Sequence, residues 1–288
     1  MGQLTNLSII KSSIADANFY FKKDLGQNFL IDNNIANSIV SSCLEDEPDT
    51  VLEIGPGIGA LTELLCNSGK KIISVEIDPF IVKMLTKHLG DKPNLTIIHS
   101  DFMKTDLKSL LDESSGQICA VSNLPYYLTS PMMMKLLESE KKFKSITLML
   151  QKEVASRITA EIASKNHSAF SLIVNYFAEI EFLFNVSKNV FYPAPKVDSS
   201  VIKLKPRPKP PVETINEEFL FKTIKAGFAT RRKQLINCIS SAFGIEKQIT
   251  SELLNKSNID PQARAETLSI SEFAELADNI YLFLNDQL

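Results

Sequence analysis

The hexapeptide Ser122-Asn123-Leu124-Pro125-Tyr126-Tyr127 is the most chemically informative part of the chain. It follows Ile118–Ser122, an apolar run that reads as a strand, so its polar groups fall at a strand's carboxyl end. An aromatic amine is a poor nucleophile because its lone pair is delocalised into the ring. A site that alkylates it must accept hydrogen bonds from the amino hydrogens, which favours a pyramidal nitrogen and aims the lone pair at the electrophile. The Asn123 side-chain oxygen and the Leu124 carbonyl are suitable acceptors. Pro125 stiffens the loop and has no amide hydrogen to compete for them. Tyr126 offers a flat face on which a base can stack. The plainer reading is a buried turn with a packed aromatic pair. In its strand-end setting the pattern points to methyl transfer onto the exocyclic amine of a nucleic-acid base.

A donor site is outlined upstream. Val51-Leu52-Glu53-Ile54 runs into Gly55-Pro56-Gly57-Ile58-Gly59, the pattern of a strand, a glycine turn and a helix start. Glycines let backbone approach a ligand closely and present amides at a helix N-terminus. The next strand ends at Glu76-Ile77-Asp78, where a carboxylate about 20 residues beyond the loop can accept both hydroxyls of a ribose. The strand after that ends at Ser100-Asp101-Phe102. Asp101 can accept from an adenine amine, with Ile77 and Phe102 packing on the ring faces. Alone, Asp101 could equally cap a following turn. Loop and acids fit either NAD or S-adenosylmethionine, but the loop reads G-x-G-x-G rather than the dinucleotide G-x-G-x-x-G.

These residues need a sheet to hold them. Candidate strands are Val51–Ile54, Ile72–Ile77, Leu95–His99, Ile118–Ser122, Ile146–Leu150, Ile180–Val186 and Ser200–Leu204. Helical patterns at Ala60–Ser68 and Pro79–Leu89 alternate with the early ones. The rhythm predicts an α/β fold with a largely parallel sheet and an antiparallel pair at one edge. Lys205-Pro206-Arg207-Pro208-Lys209-Pro210-Pro211 is a seam that neither helix nor central strand continues through. Beyond it, Glu217–Ala229, Arg231–Ala242, Glu246–Lys256 and Ser271–Leu284 read as helices. The expected domains are therefore 1–205, doubly wound α/β, and 206–288, helical.

The chain has 288 residues, 44% hydrophobic and 23% charged, which is globular composition and excludes disorder. No apolar run approaches the roughly 18 residues of a membrane span, and the start has no signal-peptide layout, so a cytoplasmic protein is expected. Cys43, Cys66, Cys119 and Cys238 are scattered and read as buried thiols, and with three isolated histidines no metal site is expected. The net charge of −3 argues against a generally basic nucleic-acid binder. From Lys203 to Lys233, however, nine basic residues face three acids, a local balance of 9 − 3 = +6. A confined basic face is compatible with an acidic chain.

Taken together, the motifs resemble those of the bacterial small-subunit (16S) rRNA adenine N6,N6-dimethyltransferases, the KsgA/RsmA family. The resemblance spans nearly the whole chain. It rests on Lys23-Asp24-Leu25-Gly26-Gln27-Asn28-Phe29-Leu30, the glycine loop, Glu76, Asp101, Asn123-Leu124-Pro125-Tyr126 and Met149-Leu150-Gln151-Lys152-Glu153-Val154. It continues through Phe191-Tyr192-Pro193-Ala194-Pro195-Lys196-Val197-Asp198-Ser199, Phe228-Ala229-Thr230-Arg231-Arg232-Lys233 and Arg264-Ala265-Glu266. It implies a Rossmann-like methyltransferase with a small helical C-terminal domain and S-adenosylmethionine as donor. Asn28, Leu30, Gly55, Glu76, Asp101 and Asn123 would line the donor site, joined by Gly57, Ile77 and Phe102 from the residue reading above, and Asn123, Leu124, Pro125 and Tyr126 would present the target amine. The implied substrate is a pair of adjacent adenosines in a hairpin loop near the 3′ end of 16S rRNA, within an assembling small subunit, with the enzyme a monomer. Lys152, Arg157, Lys196, Arg231, Arg232 and Lys233 are the expected RNA contacts. Ser168-Ala169-Phe170-Ser171-Leu172 lacks the arginine and glycine usual in the family at that place.

Three other readings compete. A large-subunit rRNA dimethylase of the antibiotic-resistance type shares N-x-P-Y, but the Phe191–Ser199 block and Arg264-Ala265-Glu266 favour the small-subunit enzyme. A ribosome-assembly factor without chemistry would not need Glu76, Asp101 and the Asn-Leu-Pro-Tyr loop together. An NAD-dependent oxidoreductase is disfavoured by the loop spacing.

Overall fold

The computed structural model describes residues 4–5, 26–114, 116–230 and 232–285. It divides into two compact units, Met1–Ala155 with Glu179–Pro206, and Ser156–Ala178 with Arg207–Leu288.

The strands are β1 (Phe29–Leu30), β2 (Thr50–Ile54), β3 (Lys71–Glu76), β4 (Leu95–His99), β5 (Ile118–Asn123), β6 (Ser145–Gln151), β7 (Ala178–Val186), β8 (Phe191–Tyr192) and β9 (Ser199–Pro206). Seven of them form one sheet in the order β4-β3-β2-β5-β6-β9-β7, while β1 pairs antiparallel with β8. The first five strands of that order run parallel, and β9 joins β6 antiparallel. Every residue of β2 is buried, as expected of a central parallel strand covered on both faces. The chain moves outward from β2 through β3 to β4, then returns to β2's other side as β5. The order therefore reverses between β2 and β5, where an open α/β sheet leaves a crevice at the strands' carboxyl ends.

Helices α1 (Asn33–Leu44), α2 (Thr62–Cys66) and α3 (Pro79–Leu89) belong to this unit. The Asp32 carboxylate caps α1, accepting from the amides of Asn34 and Ile35 at 2.9 and 3.0 Å. The inner side of α1 (Ala36, Ile39, Val40, Cys43) packs with Val51, Ile72, Cys119 and Val121 of the sheet. Asp78 caps α3 with Pro79 in its first turn. Its Ile81, Met84, Leu85 and Leu89 form a second core with Leu4, Phe29 and Ile58. Each such side chain, fully buried, contributes roughly 1.5–3 kcal/mol. Short α4 (Leu107–Leu110), then α5 (Thr129–Leu137) and α6 (Lys152–Ile158), follow β4, β5 and β6.

The second unit is helical, with α7 (Ala169–Phe177), α8 (Glu217–Gly227), α9 (Leu235–Phe243), α10 (Lys247–Lys256) and α11 (Ile270–Asn285). Phe273, Leu220, Ile224, Ile239, Leu254 and Ile280 are buried in its core. Residues 156–178 group here although they precede the proline seam. The Tyr176 hydroxyl donates to Glu217 at 2.8 Å and the Arg207 amide to the Phe177 carbonyl at 2.7 Å. A seam read from prolines is linear and does not reveal an earlier segment that joins the later unit. The helix expected from Arg231 begins only at Leu235, whose amide donates to the Ala263 carbonyl at 2.8 Å.

Candidate functional site

The ends of β2, β3, β4 and β5 meet at one edge of the sheet. Gly55 follows β2, Glu76 closes β3, Asp101 lies just beyond β4 and Asn123 closes β5. All of the residues expected at the donor and target sites line a single open cleft there: Asn28, Leu30, Gly55, Gly57, Glu76, Ile77, Asp101, Phe102, Asn123, Leu124, Pro125 and Tyr126. Its space is about 1100 Å³, the open mouth included, which is ample for a ligand of nucleoside size.

The glycine loop is shaped by two constraints. Gly55 has φ +64°, in the left-handed region, and a side chain there would meet nothing within 4 Å. Its backbone thus borders open cleft. Gly59 has φ +93°, and a Cβ would lie 2.8 Å from Leu85 and 2.9 Å from Leu4. Glycine is needed there for close packing of the loop on α3 as well as for conformation.

Glu76 is buried. One carboxylate oxygen accepts from the Asp78 amide at 2.9 Å, the other from the Gly57 amide at a long 3.4 Å. Burial raises its pKa, and the amides of Asp78, Gly57 and Ile77 offset part of that shift. Asp101 accepts from the Met103 amide at 2.9 Å, and among the described residues its other oxygen has only a 3.9 Å contact to Lys104. Lys135 clasps this turn from α5, donating to the carbonyls of Met103 and Thr105 at 2.8 and 2.6 Å with its ammonium over the Phe102 ring. Desolvation lowers the Lys135 pKa, opposed by Asp101 and Asp106. Phe102 is buried and Ile77 is 44% exposed, so the two flank the cleft in unequal ways.

At the β5 end, the Asn123 side-chain amide donates to the Asn28 carbonyl at 3.3 Å. That bond fixes the amide with its oxygen on the other side, and among the described residues this oxygen takes no donor. The Leu124 amide donates to Met149 at 3.0 Å, while its carbonyl likewise accepts nothing among the described residues. Two acceptors on successive residues are thus left open at the end of β5 among the described residues. Tyr126 hydrogen-bonds through its hydroxyl to Ser199 at 2.9 Å. Burial pushes its pKa up, with the Ser199 bond opposing.

The expected basic contacts are divided between the two units. Lys152 and Lys196 belong to the first unit, and the Lys152 amide donates to the carbonyl of Asp198 at 3.0 Å, one residue before the Ser199 that bonds Tyr126. Arg157, Arg232 and Lys233 are exposed on the second unit, and Arg231 lies outside the described residues. Part of the +6 stretch is neutralised locally. Lys203 is buried against Glu45 and Asp46 at 3.2 and 3.0 Å, and Lys205 pairs with Glu181 at 3.5 Å. In Ser168–Leu172, Ser168 and Ser171 form a capping box at the start of α7.

Sequence reasoning missed Glu53, Gln27 and Lys135. Glu53 is 1% exposed beneath the cleft and accepts from Ser74 at 2.7 Å. Its other oxygen and the neighbouring Thr62 hydroxyl are buried and complete no hydrogen bond among the described residues. Burial pushes its pKa up to about 7; the Ser74 hydrogen bond opposes this, and the Glu76 charge adds to the rise. A carboxylate inside an apolar strand was the available signal. Gln27 donates to Asp78 at 2.8 Å, and nothing in its local sequence marks it. Among the described residues no group of three or more potential ligands could hold a metal ion, and no helix is long and apolar enough to cross a membrane. The four cysteines are buried thiols.

A family model described as ribosomal RNA adenine dimethylase matches residues 18–280. The chain is 48% identical to a ribosomal RNA small subunit methyltransferase A of Shouchella clausii, over 91% of this chain and 90% of that one. It is 44% identical to the protein of the same name from Lysinibacillus sphaericus, covering 91% and 92%. Among solved structures, a dimethyladenosine transferase from Plasmodium falciparum aligns with a TM-score of 0.75 at 24% identity, covering 90% and 98%. The 23S rRNA methyltransferase ErmE aligns with a TM-score of 0.67 at 23% identity, covering 88% and 100%. These two likenesses establish a Rossmann-like methyltransferase fold, and the sequence matches establish kinship: the chain belongs to the ribosomal RNA adenine dimethylase family.

Proposed function

We propose that the protein transfers methyl groups from S-adenosylmethionine to the N6 amines of two adjacent adenosines in a hairpin loop near the 3′ end of 16S rRNA, during small-subunit assembly. The observation that carries this reading is the pair of acceptors, Asn123 Oδ1 and the Leu124 carbonyl, that no described residue engages, in the same cleft as Glu76 and Asp101. Relatives named for the small subunit, at 41–48% identity, favour that particle. The large-subunit enzyme is a likeness of fold only.

The cleft suits the donor. Among the described residues Glu76 meets only backbone amides, one of them at 3.4 Å, which leaves lone pairs for ribose hydroxyls. The open side of Gly55 admits a ligand against backbone. When bound, S-adenosylmethionine supplies an electrophilic methyl group on an already activated sulfonium. The chain's own work is alignment. Asn123 and Leu124 accept the amine hydrogens and turn the nitrogen lone pair toward the donor side. Tyr126, anchored by Ser199, gives the base a face to stack on. Positioning of this kind supplies on the order of 7–11 kcal/mol in favourable cases. No general base is assigned, because a methylated aryl-ammonium is acidic enough to release its proton to water. The protein acts as a monomer without metal, in the cytoplasm.

The test is transfer of labelled methyl groups to purified, unmethylated small-subunit particles. Wild-type protein is expected to label the 16S rRNA. Asn123→Ala is expected to slow transfer on the order of 10²-fold through lost alignment. Near-normal turnover by Asn123→Ala would remove Asn123 from the assigned role.

A further inference from the structure

Two tyrosines stand in succession on the short 3-10 turn Tyr126–Leu128, and they are treated differently by the fold. Tyr126 is held back by its hydroxyl bond to Ser199 at 2.9 Å. Tyr127 lines the same cleft but leaves 55% of its surface in solvent. A Cβ built on Gly26 would lie 3.7 Å from both Cδ1 and Cε1 of Tyr127 and 3.6 Å from the Pro125 Cβ. Gly26 therefore lies beside the Cδ1–Cε1 edge of the ring, and Pro125 stiffens the turn that carries it. The outcome is an exposed aromatic surface at the rim of the cleft. Aromatic rings so exposed are suited to recognition, since they bring large contact area with few rotatable bonds.

A nucleotide whose amine is presented to Asn123 enters the cleft, while its covalent neighbour must stay at the rim. Each base has a flat face, and stacking on an aromatic side chain requires no particular hydrogen-bond pattern. We propose that Tyr127 is a positioning residue that stacks the nucleotide adjacent to the one being methylated. In a pair of adjacent adenosines it would hold one while Asn123 presents the other. This rests on the substrate reading given above. It assigns the two tyrosines separate bases, Tyr126 the target and Tyr127 its neighbour.

The experiment uses full-length protein and small-subunit particles assembled with two 16S rRNAs. One carries the adenosine pair and the other an abasic residue beside the target adenosine. On the paired RNA, Tyr127→Ala is expected to raise the KM for particles roughly 10- to 100-fold, the range of one lost stack, with kcat changing less. Tyr127→Phe, which keeps the ring, should restore the low KM. Calorimetric affinity for S-adenosylhomocysteine should be the same in all three proteins. On the abasic RNA the wild type should fall to the level of Tyr127→Ala, and the variant should lose nothing further. An unchanged KM in Tyr127→Ala overturns the proposal, and so do losses that multiply on the abasic RNA. A parallel fall in S-adenosylhomocysteine affinity would assign Tyr127 to supporting the cleft instead, and also overturns it. If the wild type methylates neither RNA, the substrate reading fails and the proposal falls with it.

Discussion

Replacing Glu53 with glutamine should change how stability depends on pH. Glu53 lies on β2 directly across from Ser74 on β3, is 1% exposed, and leaves one carboxylate oxygen without a partner among the described residues. Its pKa is pushed from about 4.5 up to about 7, chiefly by burial. The fold therefore prefers the protonated form. That preference contributes fully below the unfolded value of 4.5 and is lost as pH rises through about 7. A shift of about 2.5 units at about 1.36 kcal/mol each gives a loss of roughly 3 kcal/mol. Glutamine stays neutral and keeps an acceptor for Ser74. Urea unfolding followed by circular dichroism between pH 5 and 8.5 should show Glu53→Gln gaining about 2–3 kcal/mol on the wild type across that interval. Taking the difference between the two proteins cancels groups unaffected by the change. Stability curves that stay parallel from pH 5 to 8.5 would refute the reasoning, because they would mean that Glu53 is ionised in the fold throughout.

Two further outcomes follow from the cleft. Glu76→Ala should weaken S-adenosylhomocysteine binding about 10- to 100-fold by calorimetry, as expected for losing hydrogen bonds to a charged acceptor; unchanged affinity would mean the ribose contact is elsewhere. Gly59→Ala should destabilise the first unit by about 1–3 kcal/mol, since its Cβ would lie 2.8 Å from Leu85 and φ is +93°. A melting temperature equal to wild type would show that the loop relaxes freely.

Much of the site could be read from local pattern. The four strand ends carrying Gly55, Glu76, Asp101 and Asn123 follow from apolar runs ended by turn residues. What local pattern cannot carry is pairing between distant segments. Glu53 reads as one more position in a strand until the parallel register sets it beside Ser74. Asn28 reached the site only by family resemblance; it depends on β1 pairing with β8 some 160 residues later and on the Asn123 bond. The helix expected over Ala60–Ser68 is only Thr62–Cys66, because Gly59 is left-handed and the Ser68 hydroxyl folds back on the Leu65 carbonyl at 2.6 Å. Counting charge along Lys203–Lys233 overstated the basic face for a related reason. Lys203 points inward from β9 to two carboxylates that precede β2, and a linear count does not know which way a strand residue faces.

The central claim is that this cleft dimethylates paired adenosines of small-subunit rRNA. Mass spectrometry of 16S rRNA from cells with and without the gene addresses it most directly. Two adjacent N6,N6-dimethyladenosines near the 3′ end are expected with the gene, and unmodified adenosines without it. Identical 16S rRNA in both strains, or a gene-dependent dimethyladenosine in 23S rRNA instead, would contradict the account.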